Sequence, residues 1–73
     1  MDIVEIKTEF IKLQQVLKLA GLIDSGSDAK YYISERMVTV NGVVASERGK
    51  KIRNGDVVEV TNLGSFKVVA PEN

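Results

Sequence analysis

Hydrophobic and polar residues change their spacing three times along this chain. Residues 2–8, DIVEIKT, are rich in β-branched side chains and read as a short strand. From Phe10 the period becomes helical. Leu13, Val16, Leu17 and Ala20 form one stripe, and Lys12, Gln15 and Lys18 lie away from it. Gly21 suits the left-handed residue that ends such a helix, which places the first helix at residues 10–20. A second helix is placed at residues 26–35. Ser25 stands three residues before Asp28, so its hydroxyl can accept an orphan backbone N–H, and Asp28 sits in the first turn, where the helix dipole favours an anion. Ala29, Tyr32 and Ile33 share the face expected to pack inward. Ser27, Lys30, Tyr31 and Ser34 share the face expected to be exposed.

The spacing then falls to two. MVTVNGVVA, residues 37–45, reads as two β segments about Asn41-Gly42, a pair suited to a type I′ turn because both central residues need positive φ. IRNGDVVEV, residues 52–60, repeats the device, with a turn at Asn54-Gly55 and Val58 and Val60 alternating with Glu59. GSFKVVA, residues 64–70, is a further strand, and Pro71 closes the ordered part. Phe10, Tyr32 and Phe66 are expected in the core. The order β-α-α-β-β-β-β describes an α+β fold, two helices packed on a small, mostly antiparallel sheet, in a single domain spanning residues 1–73.

Composition narrows the chemistry. A chain of 73 residues makes one small domain, and 44% hydrophobic content is ample for a core. Cysteine and histidine are both absent, which removes disulfides, Cys/His metal sites, an imidazole base and a thiol nucleophile. Asp24 and Asp28 flank a helix start and read as caps rather than metal ligands. Ser25 and Ser27 have no activating partner, and the G-x-x-x-x-G-K-[ST] phosphate loop is absent. The expectation is a protein that is not an enzyme and takes no cofactor or metal. The opening MDIVEIKTEF carries Asp2, Glu5, Lys7 and Glu9, unlike a signal peptide, and the longest apolar run, LAGLI at 19–23, is too short to span a membrane. A cytoplasmic monomer with no membrane partner is expected.

The charge is balanced, ten Lys and Arg against ten Asp and Glu, yet it is not evenly placed. Residues 10–53 hold eight basic and four acidic residues, a net of +4, while the first nine and the last twenty residues each carry a net of −2. Arg48, Lys50, Lys51 and Arg53 put four cations into six residues. A local basic patch attracts an anionic partner even when the total charge is zero. If the two helices pack beside each other against the hairpin, one face can gather Lys12, Lys18, Lys30 and Arg36 with Lys50, Lys51 and Arg53, and such a face can hold nucleic-acid phosphates. Hydroxyls and N–H groups at the second helix start, Ser25 to Ser27, add oxyanion donors. Tyr31 can stack on an unpaired base.

Residues 12–60 resemble the S4-type RNA-binding domain, the alpha-L RNA-binding motif. The likeness rests on Lys12-Leu13 with Val16 and Leu17, on Gly21, on the Ser-x-Ser-acid-Ala-basic start at Ser25–Lys30, on Val40-Asn41-Gly42, and on Gly55-Asp56 with Val58. Strands at 2–8 and 64–70 flank this core. The resemblance implies binding of structured RNA, ribosomal RNA first and transfer RNA second, through the two helices and the adjoining hairpin. Related modules are often appended to pseudouridine synthases, methyltransferases or a tRNA synthetase. With no residues left here for such a domain, the chain looks like the small stand-alone bacterial members, the YaaA-like group linked to ribosome assembly and ribosomal particles. Carried over, Lys12, Ser25, Ser27, Lys30, Asn41 and Gly42 fall on RNA-facing positions, and the basic loop at 50–53 extends that surface. Asn41-Gly42 is first a turn requirement. Three positions depart from the family pattern: Gln14 where an acid is common, Arg36 where glycine is common, and Met37 after it.

The competing class is a protein-interaction adaptor without RNA binding, using an exposed edge of the strand at 64–70. A Gly-Asp-x-Val turn also occurs in β-grasp sulfur carriers, but VVAPEN lacks the terminal Gly-Gly that their chemistry uses.

Overall fold

The computed structural model describes residues 2–71. Its frame is a five-stranded sheet, built from β1 (Asp2–Glu5), β3 (Val38–Val40), β4 (Val43–Val44), β6 (Val57–Val60) and β7 (Gly64–Val69). The order is β1-β7-β6-β3-β4, antiparallel except for the β1–β7 pair, which joins the two ends of the chain in parallel. Alternation along the strands explains its one-sided character. Val38, Val40, Val58, Val60, Phe66 and Val68 are buried, while Glu59 and Lys67 between them are exposed. Helix α1 (Leu13–Leu19) and helix α2 (Gly26–Ser34) pack against each other and contribute Leu13, Val16, Leu17, Ala29 and Ile33 to the same core. Every buried residue among those described is hydrophobic.

The second helix, Gly26–Ser34, matches its expected place, although Tyr32, expected in the core, is half-buried against it. Ser25 is the N-cap and its Oγ accepts the Asp28 N–H at 3.2 Å. Its C-terminus ends with Arg36 at φ 60°, where the Arg36 N–H donates to the Ile33 carbonyl and the Met37 N–H to the Tyr32 carbonyl. That pair of bonds is a Schellman closure, built here on arginine instead of glycine. The Asn41-Gly42 hairpin also holds, with φ of 52° and 83° and β3 paired to β4.

Four expectations are corrected. The first helix begins at Leu13, because Phe10–Lys12 forms β2, antiparallel to β5 (Lys51–Arg53) in a separate two-stranded ribbon. Lys12 provides no side-chain cap; the Leu13 and Gln14 N–H groups donate to the Lys50 and Arg48 carbonyls instead, at 2.8 and 3.0 Å. The opening strand stops at Glu5, where its register with β7 runs out at Val69. The Asn54-Gly55 turn joins two sheets and closes no hairpin. Only Gly55 has positive φ there, and the Asn54 Oδ1 accepts the Ala70 N–H at 2.9 Å, fastening the end of β7. Lastly, β7 lies between β1 and β6, so the strand at 64–70 offers no free edge to an adaptor's partner.

Candidate nucleic-acid interface

The β2–β5 ribbon organises the basic residues. Ile11 faces Ile52 across it, with Ile52 fully buried and Ile11 packed on the core. By alternation, the other face carries Phe10 and Lys12 on β2 and Lys51 and Arg53 on β5. Lys12 is the direct partner of Lys51, and Phe10 of Arg53. The bond from the Leu13 N–H to the Lys50 carbonyl lies just beyond the Lys12–Lys51 pair. That makes the pair the closely spaced kind without its own hydrogen bonds, in which Cα atoms stand roughly 4.5 Å apart. Two like charges thus face each other across three-residue strands.

Phe10 is not core. It is half-buried, and its ring lies beneath two cations, with Lys51 Nζ 4.8 Å and Arg53 Cζ 5.6 Å from the centroid. The nearby acid Asp56 is occupied within the fold. One carboxylate oxygen accepts the Arg53 backbone N–H at 2.8 Å, and the other accepts the Asn41 side-chain amide at 3.0 Å. The Asn41 Oδ1 in turn accepts the Val57 N–H at 2.9 Å. The Val-Asn-Gly and Gly-Asp-x-Val pieces of the sequence, about fifteen residues apart, are therefore two halves of one clamp.

An open cleft of ≈ 560 Å³ runs beside the clamp, between Asn41, Val43 and Val44 of the hairpin and Glu47, Lys50 and Lys51 of the loop, with Asp56 also in its lining. It brings Asn41 into the neighbourhood of Lys50 and Lys51. No residue of the second helix lines this cleft. Ser27, Lys30 and Tyr31 are exposed on α2, Ser25 is committed to the cap, and Tyr31 meets Tyr32 edge-on at 5.4 Å. Lys18 is exposed in the last turn of α1, where its charge suits the helix dipole. Arg36 precedes β3 and Asn41-Gly42 follows it, so the length of that strand, roughly 10 Å, separates Arg36 from Asn41-Gly42. Strand pairing and the cleft bring together Lys12, Lys50, Lys51, Arg53 and Asn41, with Gly42 next to Asn41 in the turn; Ser25, Ser27, Lys30, Tyr31, Lys18 and Arg36 are neither on the ribbon nor in the lining of the cleft.

Sequence reasoning missed the ribbon and Phe10's place on it. The signal was present as FIK and KIR, two three-residue segments with an isoleucine at each centre. Arg48 also went unassigned; its carbonyl helps hold the start of α1. Glu72, one of the acids assigned to the chain's end, lies outside the described residues.

Residues 4–69 match the family model described as the S4 domain. The chain belongs to the S4 domain family. It is also similar to a protein of Bacillus subtilis (strain 168) named "Probable ribosome maturation protein RlbA", with 50% identity over 66 residues, covering 90% of this chain and 93% of that protein. In this S4 domain the motif residues have distinct structural duties. Leu13 is core, Gly21 takes φ 78° at the end of α1, Ser25 caps α2, and Asn41 and Asp56 close the clamp. Among the motif positions carried over as RNA-facing, only Lys12 lies on the basic ribbon.

Proposed function

We propose that this chain is a cytoplasmic, non-catalytic RNA-binding protein of ribosome maturation that grips structured ribosomal RNA by its phosphate backbone. The observation that carries this reading is the outward face of the β2–β5 ribbon, where one aromatic and three cations stand together, with Lys50 alongside. Like charges directly opposite each other destabilise a sheet, and a polyanion laid across them turns that repulsion into attraction. Membership of the S4 domain family and the name of the Bacillus subtilis relative support RNA as the anion and ribosome maturation as the setting.

The test is a titration against ribosomal RNA and ribosomal particles at several salt concentrations, for the natural chain and for a triple variant, Lys50→Ala, Lys51→Ala and Arg53→Ala. Each phosphate contact contributes a slope of roughly 0.7–0.9 in log K against log salt. The natural chain is expected to show a slope of several contacts, and the triple variant to lose roughly two of them while remaining folded. Equal affinity of the folded triple variant would overturn the assignment of the ribbon. No binding by the natural chain at low salt would overturn the RNA reading.

A further inference from the structure

We infer that Phe10 is a positioning residue for RNA: its ring holds the Lys51 and Arg53 side chains in place as a preformed phosphate clamp, and it does not itself touch a base. This rests on the RNA-binding reading above. Lysine and arginine on a surface strand sample many rotamers, and binding must fix them. Here both head groups already lie over one ring, Lys51 diagonally and Arg53 from the directly opposite position. Attraction between a cation and the ring's negative face selects those rotamers before any ligand arrives.

The ring is fixed in its turn. Phe10 forms a strand pair with Arg53, the next residue Ile11 is packed on the core opposite fully buried Ile52, and the Thr8 hydroxyl donates to the Phe10 carbonyl at 2.7 Å. The loop carrying Lys50 and Lys51 is anchored by its carbonyls to the start of α1. Lys12, directly opposite Lys51, completes a three-cation surface whose neighbouring strand positions lie roughly 7 Å apart or closer. The ligand class is therefore a pair of adjacent phosphodiesters of one RNA strand, recognised by charge and spacing and not by base identity. An aromatic already covered by two cations is poorly placed to stack, which separates this role from that of an aromatic platform.

The experiment compares Phe10→Leu, Phe10→Tyr and the Lys51→Ala, Arg53→Ala pair, with and without Phe10→Leu, for binding to ribosomal RNA at fixed salt. Thermal melts confirm that each variant is folded at the working temperature. The expected result is roughly tenfold weaker binding for Phe10→Leu, near-natural binding for Phe10→Tyr, and no further loss when Phe10→Leu is added to the double variant. An RNA-free readout accompanies these. In the free protein the Lys51 ε-methylene protons should be shifted by the Phe10 ring current, and the shift should vanish in Phe10→Leu. Natural affinity in folded Phe10→Leu would overturn the inference. So would a loss of equal size in the background lacking Lys51 and Arg53, because Phe10 would then be touching the RNA itself. If the natural chain bound no RNA, the functional reading would fall while the ring-current shift still showed whether Phe10 holds the cations. Absence of that shift would overturn the positioning role by itself.

Discussion

The buried face of the large sheet and the outward face of the ribbon follow opposite rules for what meets across a pair of strands. In the large sheet, buried cross-strand partners are apolar: Val58 opposite Phe66, Val38 opposite Val60. In the ribbon, the outward partners are Lys12 opposite Lys51 and Phe10 opposite Arg53. The large sheet is what a stable fold requires, since each fully buried Val or Phe contributes about 1.5–3 kcal/mol. The ribbon breaks the charge-pairing rule that would stabilise it. Such local violations in an otherwise consistent sequence are expected where a ligand is to be met. The contrast separates positions that set stability from positions that set binding.

The largest effect should come from the side that sets stability. Phe66 is the largest fully buried side chain. Phe66→Ala should cost about 3–5 kcal/mol, most of the stability of a small domain, and denaturant unfolding followed by circular dichroism would measure it. A cost under about 1 kcal/mol would mean that the core is not organised around this ring. At the boundary between the two regions, Asn41→Gly keeps the positive φ but deletes the clamp to Asp56 and Val57. Losing two hydrogen bonds should cost about 1–2 kcal/mol, read from the same curves.

A smaller effect of opposite sign is expected at Arg36. The left-handed conformation costs a side-chain-bearing residue about 1 kcal/mol, and glycine avoids that cost. Arg36→Gly should therefore raise stability by about 1 kcal/mol, or roughly 4–8 °C in melting temperature for a domain of this size. The end of α1 is the internal control, since Gly21 already occupies the equivalent place with φ 78°. If Arg36→Gly also leaves RNA affinity unchanged, Arg36 belongs with the positions outside the interface.

These regions were unequally legible in the sequence. The second helix and the hairpin could be read because their signals are local: Ser25 with Asp28, and Asn41 with Gly42. The positive φ at Arg36 could be read only against the glycine common in similar proteins. The parallel pairing of β1 with β7 joins residues more than sixty positions apart, and nothing local announces it. The ribbon was hidden for a different reason. FIK is three residues long and abuts the helical stripe at Leu13 and Val16, so a helix drawn through it looks continuous. With β2 absorbed into that helix, Phe10 became a core residue and Lys12 a point on a helix surface. The basic composition of the site was visible, but its geometry depended on a strand too short for periodicity to reveal.

The smallest stability effect is the most discriminating. Lys12→Gln removes one of two facing charges while keeping a long polar side chain on an exposed position. If Lys12 and Lys51 serve only as solvated surface, the variant should be slightly more stable, by about 0.2–1 kcal/mol, and otherwise unremarked. If they form part of an RNA clamp, the same variant should be more stable and yet bind RNA less tightly, with the salt slope reduced by roughly one contact. The stability gain should shrink as salt rises, because screening weakens the repulsion it relieves; at about 0.1 M salt the screening length is roughly 10 Å, and at about 1 M roughly 3 Å. A variant that gains stability while losing affinity would show that the repulsion is kept for the ligand. A gain in stability with unchanged affinity would assign Lys12 to the solvent and leave phosphate contact to Lys51, Arg53 and their neighbours.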